Sequence, residues 1–151
     1  MFTSTPGKPY ILLPSIDTYM STAETFSRVY TVSKEHLAKH VSFEGTGILS
    51  TPSLIAFMEE ASRIFLDSKL PQNQTTVGVH IDVYHAAPAL LGTQVEIRGR
   101  VLRSSGKRVF LWLEAWSGET LIGYGVHERA VIDKTEYAGR IASMIASKVG
   151  G

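Results

Sequence analysis

The stretch TPSLIAFMEEASRIFLDS, Thr51 to Ser68, decides how the rest of the chain is read. Stepping about 100° per residue, Leu54, Phe57, Met58, Ala61, Ile64 and Phe65 fall on one apolar stripe, the mark of an amphipathic helix. Ile55, Ser62 and Leu66 form a second, narrower stripe, with Glu59 between the two. Thr51-Pro52 reads as an N-cap followed by proline at the first helical position, where its missing N–H costs nothing. A helix with two apolar stripes needs two surfaces to pack against. One is a sheet of its own chain; the other, against the Ile55/Glu59/Leu66 side, is expected to be a partner subunit.

On the C-terminal side of this helix the period changes to two and stays there from Val77 to Ile132. Val77, Val79, Ile81, Val83, His85 and Ala87 are expected on one face of a first strand. Val95 to Val101, Val109 to Ala115 and Leu121 to Ile132 follow as three more. The connections Ser104-Ser105-Gly106-Lys107 and Ser117-Gly118-Glu119 are short and turn-competent, so the last three strands should form an antiparallel meander. Lys134 to Lys148 is helical by composition, with Tyr137, Ile141, Met144 and Ile145 at helical spacing. On the N-terminal side, Thr25 to Val32 alternates as a strand, and Glu44-Gly45-Thr46-Gly47 is a loop before the helix. Residues 1–23 are expected to form an N-terminal arm, extended and aperiodic over Thr3 to Pro14, that either lies on the fold or is disordered, with the folded domain spanning 24–151. One strand, one long helix and a run of antiparallel strands make an α+β fold in which a curved sheet wraps the helix.

Composition narrows the function. The 151 residues carry 15 basic and 14 acidic side chains, a net charge of +1, and no cysteine. Disulfides, cysteine nucleophiles and cysteine-ligated zinc are therefore excluded. Near charge balance argues against a nucleic-acid binder that works by counterion release. Apolar runs such as Tyr10 to Pro14 and Ala86 to Leu91 fall far short of the roughly 20 residues that span a bilayer, and no signal-peptide core is evident. No membrane association and a cytoplasmic location are expected.

Four polar positions could carry chemistry. Glu59 is either a solvated helix carboxylate or, if its face is covered, a desolvated general base. His85 ends an apolar strand face pointing at the helix, where it is either a satisfied core histidine or a catalyst. Thr51 needs no role beyond capping, yet a helix N-terminus also offers free N–H groups to a carbonyl oxygen becoming anionic. Eight residues put Thr51 and Glu59 roughly 12 Å apart, so they do not touch within one regular helix. Arg129 shares a strand face with His127, Gly123 and Gly125 and is expected to face the pocket. His36 and His40 lack the glutamate of a helical H-E-x-x-H zinc motif and read as a surface segment.

Three segments, Gly47 to Ala61 (GILSTPSLIAFMEEA), Gly78 to Gly92 (GVHIDVYHAAPALLG) and Gly123 to Ile132 (GYGVHERAVI), resemble the hot-dog-fold thioesterases, and most closely the fluoroacetyl-CoA thioesterase family. The resemblance runs from about Phe26 to Tyr137. It implies the hot-dog fold, a long helix wrapped by an antiparallel sheet, paired into a homodimer with active sites at the subunit interface. It implies Thr51, Glu59 and His85 as a catalytic trio, Gly78 as a backbone contact near the acyl group, and Arg129 as a pocket-lining residue, with no metal and no cofactor. The implied activity is hydrolysis of a small acyl-CoA, with water or the Thr51 hydroxyl as nucleophile. A non-catalytic acyl-CoA-binding module on the same fold is the first rival; a hydratase is the second, but its aspartate and histidine motif is missing. Fluoroacetate-specific members carry a bulky aromatic lid residue where this chain has Glu44-Gly45-Thr46-Gly47, so fluoroacetyl specificity does not follow from the resemblance.

Overall fold

A computed structural model describes residues 15–149. Five strands, β1 (Thr25–Thr31), β2 (Gln74–His85), β3 (Gln94–Ser105), β4 (Arg108–Ser117) and β5 (Thr120–Asp133), form one antiparallel sheet in the order β1-β3-β4-β5-β2. Helix α1 (Thr51–Asp67) packs on the sheet, and helix α2 (Lys134–Val149) follows β5. The expected meander is present as β3, β4 and β5. Its turns close through Gly106 and Gly118, whose φ values of 61° and 58° lie in the left-handed region.

The core forms between α1 and the inner sheet face. Leu54, Met58 and Leu66 are fully buried against a sheet face carrying Val95, Ile97, Leu111 and Leu113, which are buried too. Each such leucine contributes roughly 1.5–3 kcal/mol by leaving water. Phe57 stacks on Tyr30 and Phe65 on Phe26, both with centroids 4.4 Å apart. Gly99 leaves the space that the Phe26 ring occupies.

The sheet wraps farther round the helix than two separate stripes would suggest. Ser62 and Leu66, expected to await a partner, are already covered by this chain; only Ile55 and Glu59 of that side stay half-exposed. Curvature brings β1, β2, β3 and β4 all into contact with α1, which closes the gap between the stripes.

The face assignment of β2 also changes. A register shift between Gly78 and His80 inserts an extra residue, so the alternation inverts there. Gln74 and Thr76 are buried before it, and Ile81, Val83 and His85 turn inward after it. Val77 and Val79 therefore do not share the Ile81 face, and Val79 is exposed.

The Thr3 to Pro14 segment, expected to be extended, lies outside the described residues. Residues 15–23 lie on the domain: Ile16 is buried, and its N–H donates to the Gly106 carbonyl at 2.9 Å. Helix α2 forms where expected, but none of its residues is buried, and Tyr137, Ile141, Met144 and Ile145 remain exposed. Among the described residues no helix is long and apolar enough to cross a membrane.

Candidate active site

The N-terminus of α1 is capped by Ser50, not Thr51. The Ser50 hydroxyl accepts from the Ser53 N–H at 3.2 Å, with Ser50 itself in extended backbone. Thr51 thus becomes the first helical residue, and its side chain is released from capping. Its hydroxyl lies 2.8 Å from Nδ1 of His85, the last residue of β2. The inversion at the bulge leaves His85 facing inward, and the packing of β2 on α1 carries it to the helix end.

Burial pulls the His85 imidazole below its ordinary value, opposed by a hydrogen bond to the Ala87 backbone. The ring is accordingly neutral at pH 7. Its Nε2 is buried and has no partner among the described residues. The Thr51–His85 pair sits on the wall of a pocket of about 730 Å³, whose other sides are Leu37, Val41, Ile48 and Pro52 with Lys39 and His40.

A second polar cluster lies two turns along α1. Arg129, 4% exposed, donates from Nε to the Thr76 hydroxyl at 2.8 Å and from its second terminal nitrogen to the Thr76 carbonyl at 2.9 Å. Its remaining terminal nitrogen is 3.3 Å from a Glu59 carboxylate oxygen and 3.2 Å from Nε2 of His127. Burial lowers the guanidinium from its ordinary value, while Glu59 opposes the shift. Gly78 faces this cluster: a Cβ there would stand 2.5 Å from the Glu59 oxygen, so glycine is what lets the carboxylate lie against β2.

Within one chain, then, the five residues singled out in the sequence fall into two groups. Thr51 and His85 meet directly. Glu59, Gly78 and Arg129 meet one another, with Glu59 at 43% side-chain exposure. The eight-residue spacing along α1 keeps the groups apart, as the helical rise requires. Sequence reading missed Thr76 as the holder of Arg129 and missed the part His127 plays. The signal for Thr76 is the β2–β5 register, which sets Gly78 opposite Arg129 and Thr76 opposite Val131, putting Thr76 on the neighbouring inward position.

Among the described residues no group of three or more potential metal ligands occurs, at His36 and His40 or elsewhere. His36 instead accepts from the Ser33 N–H at 3.0 Å, closing a 3₁₀ turn, and meets the Phe57 ring edge-on.

A family model described as FlK, fluoroacetyl-CoA-specific thioesterase, matches residues 32–135. No curated protein matches the sequence. Among solved structures, a hot-dog-like protein from Thermanaerovibrio acidaminovorans is 26% identical with a TM-score of 0.76, over 85% of this chain and 96% of that one. The fluoroacetyl-CoA thioesterase FlK is 25% identical with a TM-score of 0.74, over 82% and 96%. A thioesterase superfamily member from Thermus thermophilus, 23% identical with a TM-score of 0.76 over 87% and 97%, shares the fold. The sheet wrapped on α1 is the hot-dog fold.

Proposed function

The chain belongs to the FlK family of fluoroacetyl-CoA-specific thioesterases, and on that footing we propose that it hydrolyses a small acyl-CoA thioester to the free acid and CoA. The observation that carries this reading is the 2.8 Å contact between the Thr51 hydroxyl and His85 Nδ1 on the wall of the pocket. A neutral imidazole can take the proton of the Thr51 hydroxyl, or of a water held beside it, as the oxygen adds to the thioester carbon. The C–S bond then breaks, and the proton passes to the departing CoA thiolate. Where Thr51 is the attacking oxygen, a water deprotonated by the same imidazole then adds to the acyl ester, and the proton returns to the Thr51 oxygen as the free acid leaves. At the start of α1 the Thr51 N–H has no intrahelical acceptor, and the helix dipole favours the anionic carbonyl oxygen. Glu59 supplies the carboxylate of the site, with Gly78 and Arg129 beside it shaping the acyl end.

Screening CoA release from short, branched and aromatic acyl-CoAs tests the reading, and turnover of at least one is expected. Tight acyl-CoA binding without thiol release from any of them would instead support the binding module, a rival favoured by the separation of Glu59 from Thr51 and His85 within one chain. Rapid quenching during the first turnover distinguishes the two nucleophiles, since only attack by Thr51 leaves an acyl group on the protein.

The same separation supports a homodimer. Strand β2 is the sheet edge nearest Glu59, and an unpaired strand edge invites pairing with a second copy. Exposed Val79 and half-exposed Ile55 lie on that side. A second copy there would bring its own α1 beside the first, joining the two polar clusters across the interface. Light scattering at micromolar concentration is expected to give at least twice the chain mass. A stable monomer that still turned over substrate would remove the interfacial site.

A further inference from the structure

Resting on that reading of the site, we infer that His127 is a positioning residue: held as the Nδ1–H tautomer, it uses its bare Nε2 to fix the Arg129 guanidinium against Glu59. The tautomer follows from the partners. His127 is 2% exposed, and its Nδ1 lies 2.8 Å from the His80 carbonyl oxygen, which can only accept. Nδ1 therefore carries the hydrogen, and in the neutral ring Nε2 is left as an acceptor. At 3.2 Å from Nε2 stands Arg129, which can only donate.

The Arg129 guanidinium has five N–H groups to satisfy. Thr76 takes its Nε and one terminal nitrogen, which pins one edge of the guanidinium. The other terminal nitrogen has two hydrogens and two acceptors, Glu59 and His127. Without the imidazole lone pair, one buried N–H is left unpaired, and the edge that faces Glu59 is free to turn toward another acceptor.

Only the neutral ring can serve. A protonated His127 would set an N–H against an N–H and a positive charge against a positive charge. Burial holds the His127 imidazole below its ordinary value, and Arg129 on its own strand and His80 from β2 push the same way. Glu59 from α1 and the His80 carbonyl push it up. Arg63 and Asp67, also on α1, act on Arg129 in opposite directions, Arg63 lowering and Asp67 raising it. A depressed histidine contributes stability that is present above its unfolded value of about 6.5 and is lost as pH falls through its folded value, so the cluster should loosen on the acid side.

Two variants separate the two nitrogens. The amide of His127→Asn reaches the Nδ1 position and keeps a donor for His80, but offers nothing to Arg129. The amide of His127→Gln reaches the Nε2 position and keeps the acceptor. With the best acyl-CoA from the screen, His127→Asn is expected to lose about 10- to 100-fold in kcat with KM within twofold, a size typical of misplacement at a site. His127→Gln should stay within about threefold of wild type. Equal loss in both, or loss in neither, would overturn the inference.

Two nuclear magnetic resonance readings on the full chain do not depend on turnover. Long-range proton–nitrogen correlation should show His127 protonated at Nδ1 and bare at Nε2 at pH 7; the opposite tautomer would overturn the inference even if both variants failed to fold. The hydrogens of the Arg129 terminal nitrogen that faces Glu59 and His127 should exchange slowly in wild type and the Gln variant and rapidly in the Asn variant, while Nε–H, held by Thr76, stays slow in all three. That pattern without hydrolysis of any acyl-CoA would sink the thioesterase reading and leave the placement of Arg129 by His127 intact.

Discussion

His85→Ala is expected to lower kcat by about 10²-fold or more, the range for losing a group that moves a proton in the transition state. KM should change little, because the imidazole meets the reacting atoms rather than the CoA moiety. The fold should survive. His85 is half-buried at a strand end, and its Nε2 already lies buried without a partner among the described residues, so removing the ring relieves one desolvated polar atom while leaving a small cavity. Thr51 is exposed and can turn its hydroxyl to water. In the wild type the depressed imidazole stays the free base down to below about pH 6.5, so the acid limb of the rate profile should fall beneath that value. A folded His85→Ala protein within a few-fold of wild-type activity would end the Thr51–His85 mechanism.

Gly125→Ala is expected to cost about 3 kcal/mol or more of folding stability, at the upper end of what overpacking does. A Cβ at Gly125 would overlap the carbonyl oxygen of Asp82 on the adjacent strand. Backbone on both sides leaves no side chain that could swing away, so either β2 or β5 would have to move. Those two strands carry His85, Gly78, Arg129 and His127, and the variant should lose activity along with stability. The comparison is Gly139→Ala, in exposed α2, where nothing lies within 4 Å of the added carbon. There the change should stabilise by up to about 1 kcal/mol through helix propensity alone. Denaturant midpoints of the two variants moving in the same direction would contradict the close approach of β2 to β5.

Elements set by local periodicity are legible in the sequence, and those set by long-range pairing are not. Helix α1, the β3–β4–β5 meander and helix α2 each follow from a repeat of 3.6 or two residues and from turn chemistry, all contained within a dozen neighbouring positions. The inward direction of His85 came correctly from alternation, because the strand is regular between His80 and His85. The face of Val77 and Val79 did not, because the bulge depends on how β2 pairs with β5 some fifty residues later. The N-cap falls at Ser50, one residue before the expected Thr51, for a related reason. Ser50 and Thr51 are both competent caps, and docking of β2 on α1 gives Thr51 another partner while Ser50 takes the helix N–H.

By itself the amino-acid order determined the elements, their sequence and the polar residues available to a site. Tertiary structure decided which of those residues meet: Thr51 with His85, and Glu59 with Arg129, Thr76 and His127. The physical reason is that side-chain periodicity is set by each residue's own backbone geometry, whereas partnership between hydrogen-bonding groups depends on strand register and sheet curvature. Both of these are set by packing the whole sheet around one helix.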